Sequence, residues 1–198
     1  MNHQQVNQSN TSLYSYYIND AYYSELLKEL AIWDTDLEMD NPTTEKQCTK
    51  LIIKECRLLD EYRFDEFLSL YTDKSLYWIP ITPGGGDPRT EVSHAFDDRR
   101  RLEDRIYRLR TGYAYSQLPM SRTRRLVGNF ELGHGESQDI VFARCNFTLA
   151  ELRVGELRQY SGWYGYKLQK VEDQWKIAVK MVNLINSDQG HENMTFML

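Results

Sequence analysis

The sequence predicts an α+β fold in which helices pack on one face of a curved antiparallel sheet. Three observations predict it. Apolar residues recur at helical spacing mainly before residue 111. Beyond residue 121 they alternate with polar neighbours, as half-buried strands require. Short turn signals separate those strands, which suits a meander following a group of helices.

The elements follow in order. Residues 1–12 are polar and rich in Asn and Gln, and are expected to be extended or disordered. Residues 13–33 are dense in Leu, Tyr and Trp and read as a helical arm. Asp34, Asp36, Glu38, Asp40, Asn41 and Pro42 mark a linker. The division is therefore an N-terminal arm over 1–42 and one domain over 43–198. Thr44 and Gln47 have capping-box spacing. Cys48, Leu51, Ile52, Cys56 and Leu59 then share one helix face. Asp60–Arg63 reads as a tight corner, and Phe64, Phe67, Leu68 and Tyr71 as a second, shorter helix. Leu76–Ile81 reads as a strand stopped by Pro80 and Pro83, and Gly84–Pro88 as a loop. Phe96–Arg110 reads as a third helix with Leu102, Ile106 and Leu109 on its apolar side. Strand-like runs follow at Arg122–Leu132, Val141–Leu149, Tyr160–Lys170 and Trp175–Leu184, with turns at Gly155-Glu156 and Glu172-Asp173.

Composition narrows the function. The 198 residues carry a net charge of −5, which argues against a nucleic-acid binder. The three cysteines, Cys48, Cys56 and Cys145, have no paired spacing and suit buried free thiols in a reducing compartment. The first residues lack the basic start and apolar run of a signal peptide, and no stretch has the length of a membrane span. The expectation is a soluble cytoplasmic protein.

Motifs for bound metals are missing. A Rieske cluster needs two close Cys-His pairs, and none of the three cysteines has a histidine within three residues. A mononuclear non-haem iron needs two His and a carboxylate around one point. His3 and His191 lie near the ends of the sequence, and His94 and His134 are forty positions apart. Gly84-Gly85-Gly86 lacks the Lys-Ser/Thr of a phosphate loop, and no serine sits in a nucleophile elbow. Acid–base chemistry without a cofactor stays open. It would need a base and a donor in one cavity, and Tyr62, Tyr77, His94, Asp97 and Asp98 are the candidates.

Charge is concentrated in Asp97-Asp98-Arg99-Arg100-Arg101-Leu102-Glu103-Asp104-Arg105, with Arg122, Arg124 and Arg125 soon after. Such runs often coat a solvated helix face. Arginine also favours bidentate pairs and interfaces. Asp97, Asp98, Arg99, Glu103, Asp104, Arg105, Arg122 and Arg124 are therefore candidates for subunit contacts or buried ion pairs.

The segment Arg57–Asp73 and its continuation Tyr77-Trp78-Ile79-Pro80 resemble the opening of the small (β) subunits of aromatic-ring-hydroxylating dioxygenases. Asp97-Asp98-Arg99 with Leu102-Glu103-Asp104-Arg105 is similar to that family's signature helix. Thr111-Gly112, Ser116-Gln117, Pro119 and Ser121–Arg125 extend the likeness, as do Asn183–Asn186 and Asn193–Leu198. The resemblance covers roughly residues 45–198. It implies a cone like that of ketosteroid isomerase and scytalone dehydratase, with helices closing over a strongly curved, mixed-edge antiparallel sheet. It also implies a chain without catalytic, cofactor or metal residues of its own. The large (α) partner would carry the Rieske [2Fe-2S] cluster and the mononuclear Fe(II). NADH would supply electrons through a reductase, and three α and three β chains would assemble to cis-dihydroxylate an aromatic ring. Neither nucleic acid nor membrane is implied. The competing expectation is a free-standing lyase or isomerase on the same cone, with His94 or Asp97 as its base.

Overall fold

A computed structural model of the protein describes residues 15–191 and 194–198. The stretch 1–12 expected to be extended, and the first two residues of the helix expected over 13–33, lie outside them. Among the described residues the order is α1 (Asp20–Leu30), a 3-10 turn (Ala31–Asp34), α2 (Pro42–Asp60), α3 (Phe64–Ser69), β1 (Tyr71–Pro80), β2 (Ser93–Asp98), α4 (Arg99–Thr111), a second 3-10 turn (Tyr115–Gln117), β3 (Arg122–His134), β4 (Ile140–Arg153), β5 (Glu156–Val171) and β6 (Gln174–Leu184).

Local chemistry sets the helix ends, and in four places it differs from the sequence expectation. The helical arm expected over 13–33 opens only at Asp20, where Asn19 Oδ1 accepts from the Tyr22 N–H at 3.1 Å. Asn41, not Thr44, caps α2. Its Oδ1 accepts from the backbone N–H of Thr43 and Thr44, each at 3.1 Å, and Pro42 fills a first-turn position that needs no donor. The predicted second helix stops at Ser69, and Tyr71 opens β1. The predicted third helix starts at Arg99 instead of Phe96. Residues 93–98 alternate as a strand, and the Asp98 carboxylate then accepts from the Arg101 N–H at 2.9 Å and starts α4. That helix ends at Gly112, whose φ of 77° suits the left-handed cap that glycine adopts without a Cβ clash.

The six strands form one curved sheet in the order β2-β1-β6-β5-β4-β3. Every neighbouring pair is antiparallel but β1 and β6, which run parallel one strand in from the β2 edge. Helices α2, α3 and α4 fill one face with Ile52, Leu58, Phe67, Leu102 and Ile106, packed against Phe147, Tyr164, Tyr166 and Leu168 of the sheet. This is the cone expected from the sequence.

The second face is covered too, although helices were expected on one face only. Tyr23 and Leu26 of α1 and Trp33 of the 3-10 turn pack on Leu76, Trp78, Phe142, Val179 and Met181. Trp33 is fully buried, and its indole N–H donates to Tyr166 O at 3.3 Å. Arg144 donates to Trp33 O at 2.8 Å and stacks on the Trp163 ring, 4.4 Å from its centroid. Gly165 makes room, since a Cβ there would stand 3.0 Å from the Trp33 ring.

Trp33 is thus the most deeply buried of the side chains, with Tyr23 and Leu26, that hold the 15–34 segment to the sheet. Trp33→Ala is expected to cost ~3–5 kcal/mol in urea unfolding. A loss below about 1 kcal/mol would show that the segment is held by other contacts.

Candidate functional site

The interior of the cone contains charges that the apolar patterns around them do not announce. Glu55 sits in the apolar stripe of α2, between Ile52 and Leu59, and faces the sheet. Lys180 lies in β6 amid Val179, Met181 and Val182. Both side chains are 0% exposed, and the Lys180 Nζ meets Glu55 Oε1 at 2.8 Å. A one-residue bulge brings them together. Ile177 pairs with Leu168 and Val179 with Lys167, so Ala178 is extra. Beyond it Lys180, Val182 and Leu184 point inward, and Val179 and Met181 pack on the outer face.

Isolated burial of either charge would be costly, so the remaining bonds matter. Tyr71 donates to Glu55 Oε1 at 3.1 Å and Tyr166 donates to Oε2 at 3.3 Å. Lys180 also donates to the backbone oxygen of Leu198 at 2.9 Å, and Tyr77 donates to the same oxygen at 2.9 Å. The Leu198 N–H in turn donates to the Tyr77 hydroxyl at 3.0 Å. Burial first, and Glu55 second, hold the Tyr71 and Tyr166 hydroxyls far above the usual phenol range. Burial also pushes the Cys48 and Cys145 thiols up to about 12. These groups are neutral at physiological pH.

A second buried pair closes the cone's mouth. Asp60 at the end of α2 is bonded to the Arg125 guanidinium, to the Arg125 N–H at 2.9 Å and to the Thr123 hydroxyl at 2.8 Å. Arg125 also donates to Met197 O. Phe196, Met197 and Leu198 are buried in the main core. Beside these side chains lies a small, partly open cavity of about 20 Å³ lined by Leu59, Tyr62, Gln117 and Phe196, room for one water.

The predicted charged residues separate into inward and outward groups. Asp97 pairs with Arg105 at 2.7 Å, partly buried, and Asp98 caps α4. Arg99 spans three elements, bonding Glu103 at 2.6 Å, Leu68 O at 2.8 Å and Tyr71 O at 3.3 Å. Asp104 meets Arg100 at 3.4 Å on the exposed side of α4. Arg122 and Arg124 are exposed, and Arg124 donates to Thr123 O at 2.8 Å. Both line an open groove of about 370 Å³ with Tyr62, Ala150, Leu152 and Leu157. Sequence reasoning missed Glu55 and Lys180. The available signal was a lone carboxylate in one apolar stripe and a lone ammonium in another.

Of the acid–base candidates only Tyr77 and Asp97 are brought together, as cross-strand partners on β1 and β2, and Asp97 is engaged by Arg105. Tyr77 is in the interior, but Tyr62 lines the outer groove and donates to Ser121 O at 2.9 Å. His94 is the extra residue of a bulge in β2, between Ser93, which pairs with Pro80, and Ala95, which pairs with Ile79, whereas Asp97 lies beyond it in regular register. His94 is bonded to Ser187 O at 3.1 Å and touches the His191 ring edge-on. Among the described residues no group of three His, Cys, Asp or Glu could hold a metal, and no helix is long and apolar enough to cross a membrane.

The chain matches the model of the ring hydroxylating beta subunit family over residues 54–188. It is 33% identical over 140 residues to the 2-halobenzoate 1,2-dioxygenase small subunit of Burkholderia cepacia, covering 68% of this chain and 84% of that one. It is 28% identical over 146 residues to the benzoate 1,2-dioxygenase β subunit of Acinetobacter baylyi, covering 71% and 86%. Among solved structures, the benzoate 1,2-dioxygenase β subunit of Burkholderia mallei superposes with a TM-score of 0.63 at 23% identity, covering 81% of this chain and all of that one. A chain of naphthalene 1,2-dioxygenase with indole bound in its active site gives 0.70 at 14% identity, covering 96% and 100%.

The interior pair predicts an asymmetric response. Lys180→Met leaves Glu55 buried without its cation and is expected to cost ~3–5 kcal/mol, whereas Glu55→Gln with Lys180→Met restores most of that loss. Equal losses in the single and double variants, measured by urea unfolding, would show that the two charges are not coupled.

Proposed function

The chain belongs to the ring hydroxylating beta subunit family, and from that premise we propose that it is the non-catalytic partner in a multicomponent Rieske non-haem iron dioxygenase. The family match across residues 54–188 is the observation that carries the proposal. Its relatives are the small or β subunits of dioxygenase systems, so the activity of the complex is that of an oxidoreductase acting on aromatic rings.

In this proposal a large α subunit carries the [2Fe-2S] cluster and the mononuclear Fe(II), NADH feeds it through a reductase, and three copies of each chain assemble in the cytoplasm. The protein's own residues support such a division of labour. The cone space in which a free-standing enzyme would hold substrate is occupied by Phe196, Met197 and Leu198 and by neutral tyrosines around a closed ion pair. The charges left over point outward. Exposed Glu103, Asp104, Arg122 and Arg124 are the residues of the predicted set that remain available to a partner, while Asp97, Asp98, Arg99 and Arg105 hold α4 on the sheet.

Co-expression with a large subunit encoded beside this chain is expected to give a mixed oligomer. That oligomer should convert an aromatic substrate to its cis-dihydrodiol when reductase and NADH are supplied, and this chain alone should give no turnover. Purification of this chain as a monomer that never associates with the large subunit, or an unimpaired large subunit in its absence, would contradict the proposal.

A further inference from the structure

The outward residues at the start of β3 are arginines without a counter-charge. Arg122 and Arg124 are two apart on the strand, so both leave the same face of the sheet. Both are exposed, and among the described residues neither meets a carboxylate. Arg124 donates only to the backbone oxygens of Thr123 and Asp60. The carboxylates around them are taken. Asp60 is turned onto Arg125, Glu61 lies 3.1 Å from Arg63, and Glu156 lies 2.8 Å from Arg158. Glu151 points into the cone, toward the Ser121 hydroxyl.

The strand register sets apolar side chains beside these two cations. Arg122 stands opposite Leu152, and Leu152 opposite Leu157, so the three form one row across β3, β4 and β5. In the next row Arg124 stands opposite Ala150, whose short side chain leaves a depression. The result is the groove of about 370 Å³, a volume within the roughly 300–1,000 Å³ of small-molecule sites. Tyr62 also lines it, and Tyr62 is held in an uncommon conformation. It follows α2 with a φ of 57°, in the left-handed position that helix ends commonly give to glycine. A bulky side chain enters that region only at a cost, and strain of this kind gathers at ligand clamps. The Tyr62 hydroxyl donates to Ser121 O at 2.9 Å, which fixes the part-exposed ring beside the start of β3.

We propose that this groove binds a small organic anion, a carboxylate carried on a flat apolar body. The guanidiniums select the carboxylate, since arginine offers it paired N–H donors. Ala150, Leu152 and Leu157 are covered by the apolar body, and the Tyr62 ring packs on it. A cation would be repelled by both arginines, and a wholly polar anion would leave the leucines in water. The occupant is a small molecule because the charges and the apolar surface line one groove of that size. The proposal does not depend on the role of the chain as a subunit.

Equilibrium dialysis of cinnamate against the full chain, alone and in complex with a co-expressed large subunit, tests it. The chain alone should take up one anion per copy. Arg122→Ala with Arg124→Ala should weaken that binding by about tenfold at unchanged melting temperature, and Leu157→Ser by several-fold. Cinnamamide, the neutral counterpart, should bind about tenfold more weakly, and inorganic phosphate should not displace cinnamate. In the complex, the two arginine changes should remove one bound anion per copy of this chain. A chain that takes up no cinnamate, equal binding of the amide, displacement by phosphate, or an alanine variant that binds as the wild type does would each overturn the proposal. A site present in the chain alone but lost in the complex would overturn it too, because the face would then belong to a subunit contact.

Discussion

The Glu55–Lys180 pair is the constraint around which the cone is arranged. Neither charge can lie in an apolar interior without the other, so α2 and β6 are fixed relative to each other to within a hydrogen bond. The Ala178 bulge follows, because without the extra residue Lys180 would point to the outer face. The positions of Tyr71, Tyr166 and Tyr77 follow too, each supplying a hydroxyl that the pair or its acceptor needs. The last demand of Lys180 is met by the backbone of Leu198, which draws residues 196–198 into the core. A polar network of this kind is destabilising when partly satisfied and rigidifying when complete.

The cavity beside Leu59, Gln117 and Phe196, about 20 Å³, is more than tenfold below the roughly 300 Å³ at which small-molecule sites begin. The interior therefore contributes stability and shape, and what the protein offers to others lies outside. Its outer surface is uneven. One part is closed by Trp33 and α1, and another carries exposed leucines and arginines. This arrangement fits a subunit whose membership of the ring hydroxylating beta subunit family ties it to chemistry performed with a partner.

Much of the fold was legible in the sequence because it rests on periodicity. The stripe of Cys48, Leu51, Ile52, Cys56 and Leu59 located α2, and the alternation in Val141–Leu149 located β4. Boundaries were less legible, since capping is a competition among neighbours. Asn41 beside Pro42 outcompeted Thr44, and Asp98 stopped a strand that the charge run Asp97–Arg105 had disguised as helix. The burial of Trp33 was hidden because its partner is a glycine at position 165, and a missing side chain leaves no hydrophobic signal. Of the predicted site residues, Arg99 and Arg105 fall on α4, whereas Asp97 and Asp98, expected on that helix, end β2. Glu55 and Lys180, 125 residues apart, were illegible as a pair because the inward turn of Lys180 depends on a bulge that no local sequence rule indicates.

The most direct test of the account is native-state hydrogen exchange at the Leu198 amide, which donates to the Tyr77 hydroxyl inside the cone. If the Glu55–Lys180 network closes the cone as one cooperative unit, that amide exchanges only through global unfolding. Its protection free energy then equals the unfolding free energy measured by urea. A protection several kcal/mol below the global value would contradict the account, because it would show that residues 196–198 leave the cone while Glu55 and Lys180 remain in place.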